Sequence, residues 1–176
     1  MVVAQHPLNA FDNDVAALKR VLDQQTGPCI LVAHSYGGSI IADLGNDPKV
    51  SGLMYIAAQA MDVGETQAGN GKRYPPAYKS LLHTPDGYDY IEPERFAADF
   101  AGDPDADRAN FMANAQVPTA NAVFHISIAR PAWKTKPSWY MVDQSDRIIN
   151  PDLERLYAKR SKSKTVKPPA PATQCT

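Results

Sequence analysis

The chain is poor in cysteine, has no excess of either charge, and contains no long apolar run. Among its 176 residues only Cys29 and Cys175 are cysteines. Two thiols that far apart make no disulfide framework and have no metal-ligand spacing, so neither a metal nor a cofactor is expected. Eighteen Lys and Arg stand against nineteen Asp and Glu, for a net charge of −1. That balance removes the electrostatic case for nucleic acid or an anionic membrane as partner. No stretch is long enough to span a bilayer, and the N-terminus lacks the apolar core of a signal peptide, so the expected location is cytoplasmic. The length allows one domain with a sizeable core.

One stretch organises what is present. Cys29 to Ala33 is a short apolar run behind the Gly27-Pro28 breaker, and it reads as a strand covered on both faces. Gly45, Asn46, Asp47 and Pro48 close the helix that follows. Between them lies Ala33-His34-Ser35-Tyr36-Gly37, a nucleophile-elbow pattern with alanine at its first position. A serine hydroxyl is a weak nucleophile and must project from a sharp turn to meet both a base and a carbonyl carbon. Such a turn admits only small residues two positions away on either side, and Ala33 and Gly37 comply. The helix behind it points its N-terminus at the site, so the Tyr36 N–H is the expected oxyanion donor.

Before this stretch, Met1 to Ala4 reads as the end of a strand and Asn9 as a helix N-cap. Phe11, Val15, Leu18, Val21 and Leu22 then repeat at helical spacing, with Asp12 and Asp14 in the first turn. After it, Ser51 to Ala58 is a further strand. Strand, helix, strand, helix, strand is the rhythm of a parallel sheet with right-handed crossovers, an α/β fold. The rhythm breaks from Gln59 to Trp133, a segment rich in proline and aromatics. Short helices are expected at about 93–101, 104–115 and 118–127. The segment reads as a helical cap whose aromatics mostly form its own small core. Its aromatic, Met-containing character suggests a modest apolar acyl pocket.

The sheet resumes at Pro137 to Val142, and Asn150-Pro151 starts another helix with an N-cap and a first-turn proline. The loop between them, Asp143 to Arg147, lies at a strand's C-terminal end, where sites gather in open α/β sheets. Asp146 is the candidate acid to orient a histidine, with Asp143 as runner-up; a loop aspartate that caps the next helix is the alternative. From Lys159 a basic run and a Pro-rich end carry little apolar content.

These pieces together resemble the α/β-hydrolase superfamily, and most of all its small bacterial esterase-like members with Gly-His-Ser-Tyr-Gly-Gly at the elbow. The resemblance rests on Ala33 to Gly38, Asp47 to Val50, Tyr55 to Ala58, Pro131 to Tyr140, Asp146-Arg147 and Asn150 to Leu153. It implies Ser35 as nucleophile, Asp146 as triad acid, Tyr36 N–H as one oxyanion donor and no cofactor. The implied fold is an incomplete α/β-hydrolase fold. Residues 1–58 and 134–161 make a partial core, 59–133 the cap, and 162–176 a disordered tail.

The resemblance also implies features without a counterpart. Met1–Ala4 resembles the family's fourth strand, so the first three strands and the loop bearing a second oxyanion donor are unmatched. The family's catalytic histidine belongs after a last strand, where this sequence runs from Lys164 to Thr176 with no histidine. That end reads as frameshifted or foreign, which the other reading frames of the coding DNA would reveal. Four histidines are left as candidate bases: His125, near the end of the cap, comes first, and His6, His34 and His83 are alternatives. An unpaired edge at Cys29–Ala33 predicts a homo-oligomer. The expected function is hydrolysis of small, short-chain carboxylic esters through an acyl-enzyme on Ser35. The rival readings are a truncated, catalytically impaired hydrolase-fold fragment that acts as a binding module or has no activity, and a different reaction on the same fold.

Overall fold

The computed structural model describes residues 1–166. Two β–α–β units build its main sheet. Strand β1 (Cys29–Ser35) leads into helix α2 (Gly37–Leu44) and then β2 (Val50–Ala58). Strand β6 (Ser138–Met141) leads through α6 (Pro151–Arg160) to β7 (Lys164–Val166). All pairings are parallel, in the order β1-β2-β6-β7. Helix α1 (Phe11–Asp23) precedes them and packs on α2.

One core cluster fixes this layering. Leu31 from β1, Ile41 and Leu44 from α2, Leu53 and Tyr55 from β2, Tyr140 from β6 and Tyr157 from α6 are buried together. Tyr55 and Tyr140 are register partners on neighbouring strands and their rings stack 5.8 Å apart. Helix α6 begins as its sequence predicts, with Asn150 Oδ1 accepting the Asp152 N–H at 2.9 Å and Pro151 in the first turn. Gly45 ends α2 with a right-handed φ of −59°. Its reason is packing rather than turn geometry, because a Cβ there would lie 2.6 Å from the Ile41 carbonyl and 2.7 Å from Ala132 Cβ.

Several expectations are corrected. Met1–Ala4 joins no strand, so among the described residues β1 is the sheet's outer edge. Leu31 on one face is buried, whereas Ile30 and Val32 on the other are 56% and 60% exposed, so β1 is not covered on both faces. The N-cap of α1 is Ala10, not Asn9, whose side chain accepts from Asn13 instead. Residues 164–166, expected within a disordered tail, form β7, because the free edge of β6 offers them backbone partners. Residues 167–176 of that expected tail, with Cys175, lie outside the described residues.

The segment between β2 and β6 is less helical than expected. It holds α3 (Gln67–Arg73), α4 (Pro93–Asp99) and α5 (Ala106–Asn114). It also holds an antiparallel sheet of β3 (Leu81–His83), β4 (Tyr88–Ile91) and β5 (Thr119–Ala120). The helix expected at 118–127 is β5 followed by a 3-10 turn over Asn121–His125. Ile91, Phe96, Ala101 and Ala113 form a separate small core there. Arg147, in the loop after β6, ties the segment down by donating to Asp99 at 2.9 Å and by accepting the Tyr78 N–H at 3.0 Å.

Candidate active site

Ser35 occupies the turn between β1 and α2 with φ of 52°, a left-handed conformation that L side chains rarely adopt. The surroundings hold it there. The parallel register slips at this point, since His34 pairs with Ile56 but Ser35 with Ala58, and the bypassed Ala57 takes φ of 41°. The Ser35 carbonyl accepts the Gln59 N–H at 3.0 Å. Gly38 permits this approach, because a Cβ there would fall 2.3 Å from the Gln59 carbonyl oxygen. A Cβ on Gly37 would sit 3.4 Å from Ala33 Cβ. The crowded glycine of the turn is therefore Gly38, while sequence reasoning stressed Gly37.

Tyr36, whose N–H is the expected oxyanion donor, is anchored by its side chain. Its hydroxyl donates to Asp14 Oδ2 at 2.9 Å, and Asp14 Oδ1 accepts the Leu8 N–H at 2.8 Å. Burial and then the Asp14 carboxylate raise the Tyr36 phenol well above its ordinary value, so it remains a donor.

Ser35 and Tyr36 open onto a cavity of about 710 Å³ between the sheet and the inserted segment. Its walls are mainly apolar. Ile148 and Leu153 contribute, and so do Tyr78, Phe96, Phe100, Phe111 and Phe124 from the segment expected to keep its aromatics to itself. Polar side chains interrupt these walls, among them Ser35, Gln59, Gln67, Lys72, Asp89, Gln116, Thr119, Asn121, His125 and Asn150. Sequence reasoning did not single out Gln59, Asp89 or Asn121. For Gln59 a signal existed, since it directly follows a strand's C-terminal end.

The four histidines separate clearly. His125 lines the same cavity as Ser35. His6 lies outside it, with its Nδ1 3.6 Å from Asp14 Oδ1 and its ring edge-on to Tyr36. His34 lies on the open face of β1, edge-on to Phe100. Desolvation lowers its pKa and the Asp143 carboxylate partly offsets this. His83 Nδ1 is 2.6 Å from Asp89 Oδ1, and Asp89 Oδ2 accepts from Asn121 at 2.7 Å, so His83 belongs to a cluster within the inserted segment.

Asp146 has no histidine partner among the described residues. Its Oδ1 accepts the Ile148 and Ile149 N–H groups at 2.6 and 3.0 Å. Beside it lies Glu154 of α6, fully buried, with Oε2 accepting the Asp143 N–H at 3.0 Å and Oε1 unpartnered. Burial, then the neighbouring carboxylate, raises the pKa of Glu154 strongly; burial likewise raises Asp146. The two carboxyls thus share one buried site in which a second negative charge is disfavoured. Asp143, the runner-up acid, accepts the Ser145 N–H at 2.8 Å. Among the described residues no group of His, Cys, Asp and Glu is arranged to hold a metal ion, and no helix is long and apolar enough to cross a membrane.

Comparison with known proteins gives this geometry a context. No curated protein matches the sequence. Several solved structures do. A pyrethroid hydrolase from Sphingobium faniae JZ-2 superposes with a TM-score of 0.73 at 19% identity, over 96% of this chain and 70% of that one. Polyneuridine aldehyde esterase gives 0.69 at 14% identity, over 91% and 71%. A methylesterase from Arabidopsis gives 0.64 at 18% identity, over 89% and 66%. At such identities the likeness shows the fold, an α/β-hydrolase fold that is incomplete relative to those chains. The α/β hydrolase family itself matches residues 4–170, nearly the whole sequence, and the chain therefore belongs to that family.

Proposed function

We propose that the protein is a serine hydrolase acting on small-molecule carboxylic esters. The observation that carries this reading is Ser35, held at a strained strand-to-helix turn and facing an apolar cavity that it shares with His125. In this reading Ser35 Oγ attacks the ester carbonyl carbon while its proton passes to His125. The tetrahedral oxyanion is held by the Tyr36 N–H. The alcohol departs with the proton from His125, and water then attacks the acyl-serine by the same route to release the acid. Esterases among the structural neighbours agree with the class of reaction. A cavity of about 710 Å³ suits substrates larger than the short-chain esters expected from sequence, with a bulky apolar acyl or aryl group. Asp146 keeps its place after β6, but its Oδ1 serves the Ile148 and Ile149 N–H groups, so His125 acts in this reading without a carboxylate partner.

That engagement of Asp146 is also what favours a second reading. Without an oriented base, the cavity becomes the binding pocket of a catalytically impaired hydrolase fold. Hydrolysis of aryl esters of increasing acyl size separates the two. The first reading expects turnover that is lost in Ser35→Ala and falls at least about tenfold in His125→Ala. Turnover that is the same in wild type and Ser35→Ala contradicts it.

A further inference from the structure

Gln59 follows β2 directly and is 3% exposed, and its side chain lines the cavity beside Ser35. A buried carboxamide presents either its oxygen or its amino group, and its hydrogen-bond partners fix which. Here a chain of hydrogen-bond partners decides it, running from the exposed Arg73 inward to the fully buried Asn70 and Tyr157. The Arg73 guanidinium, which can only donate, bonds Asn70 Oδ1. Asn70 Nδ2 then donates to Glu65 Oε2 at 3.1 Å and to the Tyr157 hydroxyl at 2.8 Å. Glu65 can only accept, because burial, which would raise its pKa, is outweighed by Arg160, the Asp62 N–H and Asn70, which hold it at about 2. Tyr157, accepting from Asn70, must give its own proton to Gln59 Oε1, 2.7 Å away. Gln59 Oε1 is thereby occupied. Nε2 has no partner among the described residues, and for a side chain this buried the cavity is where it is left to donate. The main chain is fixed as well, with its N–H on the Ser35 carbonyl and its carbonyl against Gly38.

We propose that Gln59 is a substrate-positioning residue whose Nε2 donates a hydrogen bond to an acceptor oxygen of the bound molecule, selecting a carbonyl-bearing ligand over a purely apolar one. The assignment rests on the reading of this cavity as the substrate site. It does not require Ser35 to react. An apolar pocket discriminates poorly between ligands of one shape, whereas a fixed donor with no protein acceptor loses a hydrogen bond whenever the ligand brings none.

The test uses the full chain and two unreactive probes, an aryl alkyl ketone and the hydrocarbon of the same shape with a methylene in place of the carbonyl. Calorimetric titration is expected to show the ketone binding about tenfold more tightly than the hydrocarbon. In Gln59→Leu the difference disappears while the hydrocarbon binds as before, and in Tyr157→Phe the ketone preference shrinks. A second readout needs no second folded variant to be compared in affinity: the side-chain amide resonance that is absent in Gln59→Leu shifts when wild type takes up the ketone and stays in place with the hydrocarbon. Equal affinity for the two probes, a ketone preference that survives in Gln59→Leu, an unmoved amide resonance, or no binding of either probe overturns the assignment. Ser35→Ala that keeps the ketone preference in a protein without esterase turnover leaves Gln59 standing and removes the serine-hydrolase reading alone.

Discussion

The hydroxyl of Tyr36 donates to the carboxylate of Asp14 across 22 residues of sequence, joining the first turn of α1 to the residue after Ser35. Asp14 is fully buried and also holds the Leu8 N–H, so one side chain aligns the approach to α1 with the turn that carries the candidate nucleophile. Tyr36→Phe leaves that buried carboxylate one donor short. The expected loss is about 1–2 kcal/mol in urea unfolding. Asp14→Ala, which strands two donors, is expected to cost more.

Gly38 and Gly37 are expected to behave oppositely. An added Cβ at Gly38 meets main-chain atoms of Gln59 at 2.3 and 2.8 Å, and backbone cannot step aside cheaply. Gly38→Ala should therefore cost at least about 2 kcal/mol or prevent folding. Gly37 is the first residue of α2, and its Cβ would meet only Ala33 Cβ, at 3.4 Å. Gly37→Ala should stay within about 0.5 kcal/mol of wild type, since the gain in helix propensity offsets the contact. Thermal unfolding of the two variants side by side checks both expectations.

The buried pair of Glu154 and Asp146 sets a pH dependence. Both carboxyls have raised pKa values, so the folded state holds protons that the unfolded chain releases once pH exceeds the ordinary glutamate value of 4.5. Their contribution is most favourable below that value and declines as pH rises through the neutral range. Glu154→Gln reproduces the protonated acid, accepting from the Asp143 N–H and donating toward Asp146. It is expected to gain on the order of 2 kcal/mol at pH 7 and little at pH 4, read as the difference in urea midpoint at the two pH values.

The open edge of β1 predicts self-association. Among the described residues, the seven of Cys29–Ser35 pair with β2 on one side only, and Ile30 and Val32 lie exposed along that edge. Pairing with the same edge of a second copy would satisfy both. Light scattering after size exclusion is expected to give a mass near twice the 19.2 kDa chain and close to one chain for Val32→Lys. A monomeric wild type at micromolar concentration contradicts the expectation.

Much of the main sheet was legible in sequence because its signals are local. The apolar run before Ser35, the small residues around it and the Asn150-Pro151 helix start each specify their own geometry. The β3–β4 hairpin also left a local trace that helix-seeking missed. Pro85-Asp86-Gly87 between Leu81–His83 and Tyr88–Ile91 is a turn signature, and Gly87 takes φ of 89° there. Strand β7 had no such trace, since Lys164, Thr165 and Val166 are all exposed and are ordered by the backbone of β6. The surroundings of Asp146 and Gln59 were not legible for a different reason. From α6, Glu154 reaches the Asp143 N–H beside Asp146 and Tyr157 reaches Gln59, and which side chains meet depends on how that helix packs across the sheet.

The central claim is that Ser35 is an activated nucleophile, and labelling with a fluorophosphonate tests it most directly. Intact mass spectrometry of the purified protein is expected to show one added phosphonyl group, no addition in Ser35→Ala, and slowed addition in His125→Ala. A protein that is folded by circular dichroism yet takes up no label would contradict the claim and leave the cavity as a binding site without catalysis.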